Sequence, residues 1–278
     1  MLGVSGQLRI PVHQVITASK TVRLGMVQFV PATWDVKGNW ARLKRILRKV
    51  PAGRMDLVIT PECILDGYTV KEAPKGRSVK WAKRERWLRE CALDAAAGGI
   101  LAEAGASARR IRSYLVLGYT ELVGRGKAAN SAAVFDRRGR RIATYHKTHL
   151  QQHDLQFERG KSWTVVGADF GRFGVLICAD RRWPEAMRCQ RLLGADLVAI
   201  PSYGMHGDLN LAMMRTRAYE NGFFIAFAHA QESLVTGPGG EVEVDVRSDQ
   251  DALVPCTVDL EKLNDSHVKD RRTDLYGC

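Results

Sequence analysis

Residues 174–185 read Gly174-Val175-Leu176-Ile177-Cys178-Ala179-Asp180-Arg181-Arg182-Trp183-Pro184-Glu185. A small, apolar run ends in a cysteine, a charged turn follows, and a helix can begin at Pro184, because the first helical turn has no use for the missing N–H. This predicts a buried strand over 174–178 and a helix over 183–193. A nucleophile at the mouth of a strand is held rigidly, and the backbone N–H groups just after it can face a developing oxyanion. The two arginines would favour a thiolate. Taken alone, the same stretch also fits a cysteine buried in a core strand, since free cysteines are among the most buried residues.

Outward from this stretch, strand and helix patterns alternate. Apolar strands are expected over 22–30, 56–60, 114–119, 196–200 and 223–229, and further strands over 241–246 and 252–258. Helices are expected over 39–50, 83–104 and 209–221; the first shows Trp40, Leu43, Ile46, Leu47 and Val50 at helical spacing. A hairpin joins 130–136 to 141–147 through Arg137-Arg138-Gly139-Arg140, where the glycine suits a tight turn. The alternation with interleaved hairpins predicts an α/β fold of layered mixed sheets. Residues 21–278 read as one domain and 1–20 as an N-terminal extension.

With 278 residues, 45% hydrophobic and 26% charged, the chain can bury a core without disulfides or metals. The net charge of +12 raises the question of a polyanion partner. The basic clusters are scattered, however, and read as solvated surface, so specific nucleic-acid binding is not expected. The six cysteines, Cys63, Cys91, Cys178, Cys189, Cys256 and Cys278, show no C-x-x-C and no metal-ligand spacing. They are expected to stay reduced in the cytoplasm, with no metal and no organic cofactor. Arg9, Pro11, His13 and Lys20 interrupt any signal-peptide pattern, and no apolar run approaches a membrane span.

Two further residues close strands. Glu62 follows Leu57-Val58-Ile59-Thr60-Pro61, where partial burial would raise a carboxylate's pKa and let it take a thiol proton; an exposed loop glutamate is the plainer alternative. Lys147 ends the strand 141–146, where a cation could stabilise an acyl-transfer transition state or simply be a surface lysine. Sites in open α/β sheets gather at carboxyl ends of strands.

Pro61-Glu62, Lys147-Thr148-His149-Leu150 and Cys178-Ala179-Asp180-Arg181-Arg182-Trp183-Pro184-Glu185 together resemble the three signature segments of the nitrilase (carbon–nitrogen hydrolase) superfamily, in order. Gln28-Phe29, Leu65 to Tyr68, Arg217-Ala218-Tyr219-Glu220-Asn221 and Arg271-Arg272-Thr273-Asp274-Leu275-Tyr276 agree. The resemblance implies an αββα sandwich and a catalytic triad of Glu62 as base, Lys147 as stabilising cation and Cys178 as nucleophile. It also implies an acyl-enzyme, no cofactor, a small-molecule amide or carbamoyl substrate, and a homodimer or larger homo-oligomer. The motif around Cys178 is most similar to the N-carbamoyl amino acid amidohydrolase and amidase branches. There Arg181 and Arg182 could clamp a substrate carboxylate, or else pair with protein groups.

The chain departs from the family pattern in two places. Many members carry a second glutamate between the lysine and cysteine segments; here His153 or Asp154 falls at that place, and Asp154 is the candidate substitute, with a shorter reach. The loop after His229 is short, and His229 stands where asparagine is frequent. These departures keep open a noncatalytic, scaffold-type homologue as the alternative function.

Overall fold

The structure is a computed structural model and describes residues 21–71, 81–94 and 98–276. The expected extension at 1–20 lies outside the described residues.

Alternating side chains set the layers. In β1 (Thr21–Gln28), Val22, Leu24 and Met26 enter the core between two sheets, while Val27 and the following Phe29 face helices. The first sheet adds β2 (Leu57–Ile59), β3 (Leu93–Asp94), β4 (Tyr114–Gly124), β5 (Lys127–Phe135) and β6 (Arg141–His146). The second sheet holds β7 (Thr164–Ala168), β8 (Gly171–Val175), β9 (Leu197–Ser202), β10 (Phe224–His229), β11 (Glu232–Thr236) and β12 (Val242–Arg247). The chain then returns through β13 (Ala252–Asp259) to pair antiparallel with β1, Thr21 opposite Asp259. The strand orders are β13-β1-β2-β4-β5-β6, with β3 beside β4, and β12-β11-β10-β9-β8-β7. The centre of each sheet is parallel and the edges antiparallel, as the mixed-sheet reading expects.

Helices α1 (Val36–Arg48), α2 (Trp81–Cys91) and α3 (Ile100–Ile111) precede the second sheet in sequence, and α1 and α3 cover the first sheet through Trp40, Leu43, Leu47, Leu101, Ala104 and Ala108. Helices α4 (Pro184–Leu192) and α5 (Asp208–Asn221) cover the second sheet with Ala186, Met187, Met214 and Ala218. Short helices α6 (Ser266–Lys269) and α7 (Thr273–Tyr276) end the described chain. The result is the αββα sandwich. Each large side chain buried in it contributes roughly 1.5–3 kcal/mol relative to an exposed position.

Three expectations need correction. The single helix over 83–104 is two helices, α2 and α3, with β3 between them; Gly98 and Gly99 stand before α3 with φ of 75° and 64°, which no helix continues through. Strands β7 and β11 were not anticipated; both are short and pair at the flanks of the second sheet. Strand β8 stops at Val175, so Cys178 begins a 3-10 turn over Cys178–Arg182 and is not the last strand residue.

Candidate active site

The ends of β2, β6 and β8 deliver Glu62, Lys147 and Cys178 to one place. Glu62 is reached because β4 has glycine beside it: a Cβ at Gly118 would lie 2.3 Å from Pro61 O. The Glu62 N–H then donates to Ser202 O at the end of β9, tying the two sheets together at 3.3 Å. Lys147 follows β6 directly, and its N–H donates to Asn130 O at 2.9 Å.

Lys147 Nζ donates to Glu62 Oε1 at 2.8 Å and to Asp154 Oδ2 at 2.6 Å, with Tyr68 OH at 3.4 Å as a third, weaker partner. Glu62, Lys147 and Asp154 are 0% exposed and Cys178 is 3% exposed. Burial alone would pull the Lys147 pKa down. The negative charges of Glu62, Cys178 and Asp154 outweigh it and hold the ammonium above its ordinary value. Burial, with the charges of Glu62, Asp154 and Cys178, likewise keeps the Tyr68 phenol neutral, its pKa well above normal. Cys178 and both carboxylates therefore act on the same two groups, which places them around one centre.

The carboxylate oxygens of Glu62 have unequal environments. Oε1 accepts from Lys147 and from Asn130 Nδ2 at 2.7 Å, while Oε2 is buried with no hydrogen-bond partner. A buried, unpartnered carboxylate oxygen is costly, and it is the atom able to accept a proton. Glu62 is thus a buried group and not the exposed loop glutamate that the sequence left open.

Cys178 has φ 45°, a left-handed backbone that costs a non-glycine residue about 1–2 kcal/mol. Cys63 and Tyr68, which flank the Glu62 segment, also have positive φ, 44° and 58°. Backbone strain thus gathers at the site, as it does at functional centres. The turn is held by Asp180, which is buried and accepts from Ile177 N at 3.0 Å, Tyr145 OH at 2.8 Å, Thr148 Oγ1 at 2.9 Å and His149 N at 2.8 Å. One carboxylate thereby locks the cysteine turn to the lysine segment. The Ala179 N–H lies in the first residues of this turn, where backbone donors lack partners within the helix.

Of the two arginines, the structure corrects the expected bidentate carboxylate clamp for Arg181. Its side chain is fully buried and its donors go to Asn210 Oδ1, Cys178 O and Met205 O, with Cys178 Sγ at 3.5 Å. A guanidinium has five N–H donors, so too few remain for a two-bond grip on a substrate. Arg182 is exposed, and its carbonyl accepts from Arg217 Nη2 at 3.1 Å. Asp154, the shorter stand-in for a second glutamate, does reach Lys147, and Tyr68 OH hydrogen-bonds its other oxygen. His153 is half-buried beside it. His229 is buried and neutral near pH 7, its pKa lowered to about 4 by burial; Nε2 donates to Tyr203 O and Nδ1 accepts from Gln231 N.

Sequence reasoning missed Asn130 and the role of Asp180. The signal for Asn130 was present: a polar pair, Asn130-Ser131, inside the otherwise alanine-rich strand β5. A hollow of about 520 Å³ lined by Arg45, Lys49, Arg54 and Leu253 lies apart from these residues.

Two stacked mixed sheets between helix layers, with cysteine, lysine and carboxylates at the strand ends, define a nitrilase-type sandwich. The carbon-nitrogen hydrolase family profile matches residues 23–267, and the chain belongs to that family. It is similar to a hydrolase encoded in the pqqF 5' region of Pseudomonas protegens, 28% identical over 94% of this chain and 93% of the relative. It is also similar to an omega-amidase of Homo sapiens, 25% identical over 86% of this chain and 91% of the relative. Among solved structures, a carbon-nitrogen hydrolase from Helicobacter pylori shares the fold with a TM-score of 0.73 at 20% identity, covering 93% of this chain and 97% of that one. An amidase from Nesterenkonia sp. AN1 gives a TM-score of 0.70 at 22% identity, covering 92% and 98%.

Proposed function

We propose that this protein hydrolyses a linear amide or N-carbamoyl C–N bond through a thioester on Cys178. The observation that carries this reading is the unpartnered, buried Glu62 Oε2 in the same cluster as Lys147 and Cys178. Glu62 Oε2 takes the thiol proton, and the sulfur lone pair attacks the carbonyl carbon. The carbonyl π pair moves to oxygen, where the Ala179 N–H and Lys147 Nζ receive the charge. Lys147 frees a donor for this by giving up its longest bond, the 3.4 Å contact to Tyr68. Collapse of the tetrahedral species expels the amine, which takes the proton from Glu62. Glu62 then activates water against the thioester, and the acid leaves.

Asp154 completes a buried cation between two carboxylates, the arrangement the catalytic reading needs, and the assay below decides between that reading and the scaffold alternative. Exposed Arg182 is the remaining candidate for a substrate carboxylate. The protein is further read as a homo-oligomer that pairs through α4 and α5, where Trp183, Leu192, Leu193, Leu209 and Tyr219 are exposed. Cys63, Cys91, Cys178 and Cys256 carry free thiols, as a reducing cytoplasm would keep them, and no helix among the described residues is long and apolar enough to cross a membrane.

The test is a panel of linear amides, ω-amides and N-carbamoyl amino acids assayed for ammonia release with the parent chain and Cys178→Ala. Turnover of at least one compound by the parent, lost in the variant, is expected. No turnover across the panel would favour the scaffold reading.

A further inference from the structure

The sulfur of Cys178 has a second cation beside it. Arg181 Nη1 stands 3.5 Å from Sγ, and the whole guanidinium is buried, lying over the Phe227 ring at 5.0 Å. Two carbonyl bonds hold its far end, from Nη1 to Cys178 O and from Nη2 to Met205 O. Its Nε donates to Asn210 Oδ1 at 2.7 Å.

Asn210 cannot turn its amide over. Arg181 only donates and Glu232 only accepts, so Oδ1 must face the arginine while Nδ2 donates to Glu232 Oε2 at 3.2 Å. Glu232 is 0% exposed and begins β11. It also accepts from Gly207 N at 3.2 Å and from Arg247 Nε at 3.1 Å. Arg247, at the end of β12, is balanced by Asp208 and Asp245. A buried cation, a polarised amide, a buried anion and a surface cation thus run in line from the nucleophile to the sheet edge. Four separate elements contribute to it: the 3-10 turn, α5, β11 and β12. Burying two ionised groups this way is unfavourable unless each is bonded in a fixed geometry, and here each is.

We infer that Arg181 is a catalytic residue that shares with Lys147 the task of balancing the Cys178 thiolate, and that Asn210 and Glu232 are positioning residues that hold its guanidinium on the sulfur. The inference rests on the reading of Cys178 as nucleophile. When the Sγ proton moves to Glu62 Oε2, the negative charge left on sulfur lies beside Arg181 Nη1 and within the field of the Lys147 ammonium. When sulfur bonds to carbon, that charge passes to the substrate oxygen and the Arg181 contact weakens. Arg181 therefore serves the thiolate, while Lys147 and the Ala179 N–H serve the tetrahedral oxygen. Glu232 and Asn210 restrain the guanidinium from swinging toward other carboxylates.

The experiment is a double-mutant cycle read by the rate of iodoacetamide alkylation at Cys178, mapped by peptide mass spectrometry at one pH. The variants are Arg181→Met, which keeps length and removes charge, Arg181→Lys, which keeps charge, Asn210→Leu, and the double Arg181→Met/Asn210→Leu. The expected result is a slowing of about tenfold or more in Arg181→Met, in line with loss of a charge-assisted bond. Arg181→Lys should recover most of it, which a merely structural role would not allow. Asn210→Leu should slow alkylation in the same direction, and the double variant should be no slower than Arg181→Met alone. Should Arg181→Met not fold, Asn210→Leu and Arg181→Lys still read the same sulfur from separate elements. Wild-type rates in both Arg181→Met and Asn210→Leu, or full additivity in the double variant, would overturn the inference. If the parent's Cys178 is itself the last thiol to react, the nucleophile reading fails, a result distinguishable from failure of the arginine assignment.

Discussion

Asp154→Asn is the substitution that weighs the site's electrostatics most cleanly, because it removes a charge and keeps a shape. Asp154 and Lys147 are both fully buried with Oδ2 2.6 Å from Nζ. At an effective dielectric near 20, two unit charges this close attract by on the order of 6 kcal/mol. Part of that is returned, because the variant no longer buries the Asp154 charge and because Glu62 still pairs with Lys147 at 2.8 Å. The net loss expected for breaking one arm of a buried pair is about 3 kcal/mol. The asparagine can still give its oxygen to Lys147 and turn its amide N–H toward Tyr68 OH, so little rearrangement adds to the cost. For a chain of this length about 3 kcal/mol lowers the thermal midpoint by roughly 6–12 °C. Turnover should fall more steeply, roughly a hundredfold, since a less firmly held cation stabilises the tetrahedral oxygen less well. Thermal melts followed by circular dichroism give the first number and ammonia release the second. A variant that melts within about 2 °C of the parent and keeps its kcat would show that Asp154 does not hold Lys147, and the compensation for the missing second glutamate would have to be sought elsewhere.

Asp66 offers a pH test. It is fully buried, and burial raises its pKa from 3.8 to about 6 despite hydrogen bonds from Thr69 and Thr120. A folded pKa above the unfolded one means the favourable contribution is complete below about 3.8 and is lost as pH rises through about 6. The span corresponds to about 3 kcal/mol. Asp66→Asn should therefore be more stable than the parent at pH 7 and no better near pH 4, in urea melts at the two values; equal gains at both would contradict the assignment. Sedimentation at micromolar concentration should show a dimer or larger species, and Leu209→Glu in the exposed α4–α5 face should shift it toward monomer; a parent that sediments as monomer would remove the oligomer reading. Gel shifts at physiological salt should show only weak, sequence-independent DNA binding, because the basic side chains are dispersed and many are paired with acids, such as Arg137 with Asp56 and Asp169; nanomolar selective binding would contradict this.

What the sequence made legible follows from which signals are local. The breaks at Pro61, after the strand before Lys147 and at the charged run after Cys178 are local signals, and Glu62, Lys147 and Cys178 arrive at one centre. The α/β layering was readable for the same reason, from periods of two and 3.6 within short windows. Partnerships across the fold were not readable. Asp180 stands beside two arginines in the sequence, yet it turns inward to bind Tyr145, Thr148 and His149 some 30 residues away (|i−j| of 35, 32 and 31). Arg181 reads from the sequence as a carboxylate clamp or a partner of protein groups, with no sign of which; Phe227, Asn210 and Met205 close over it, a neighbourhood made by β10, α5 and the loop before α5. The break between α2 and α3 was written in Gly98-Gly99, and the helix-rich composition around it concealed the short strand between.

The central claim is that Cys178 becomes acylated. It is tested most directly by acid-quenching the parent chain during turnover of the best amide in the panel and measuring intact and peptide masses. The account predicts a substrate-acyl adduct on the peptide containing Cys178, absent from Cys178→Ala, while Cys63, Cys91 and Cys256, whose thiols burial pushes well up, to about 12 and to about 11 respectively, stay unmodified. Ammonia release by Cys178→Ala at the parent's rate, with no adduct on Cys178 in the parent, would contradict it.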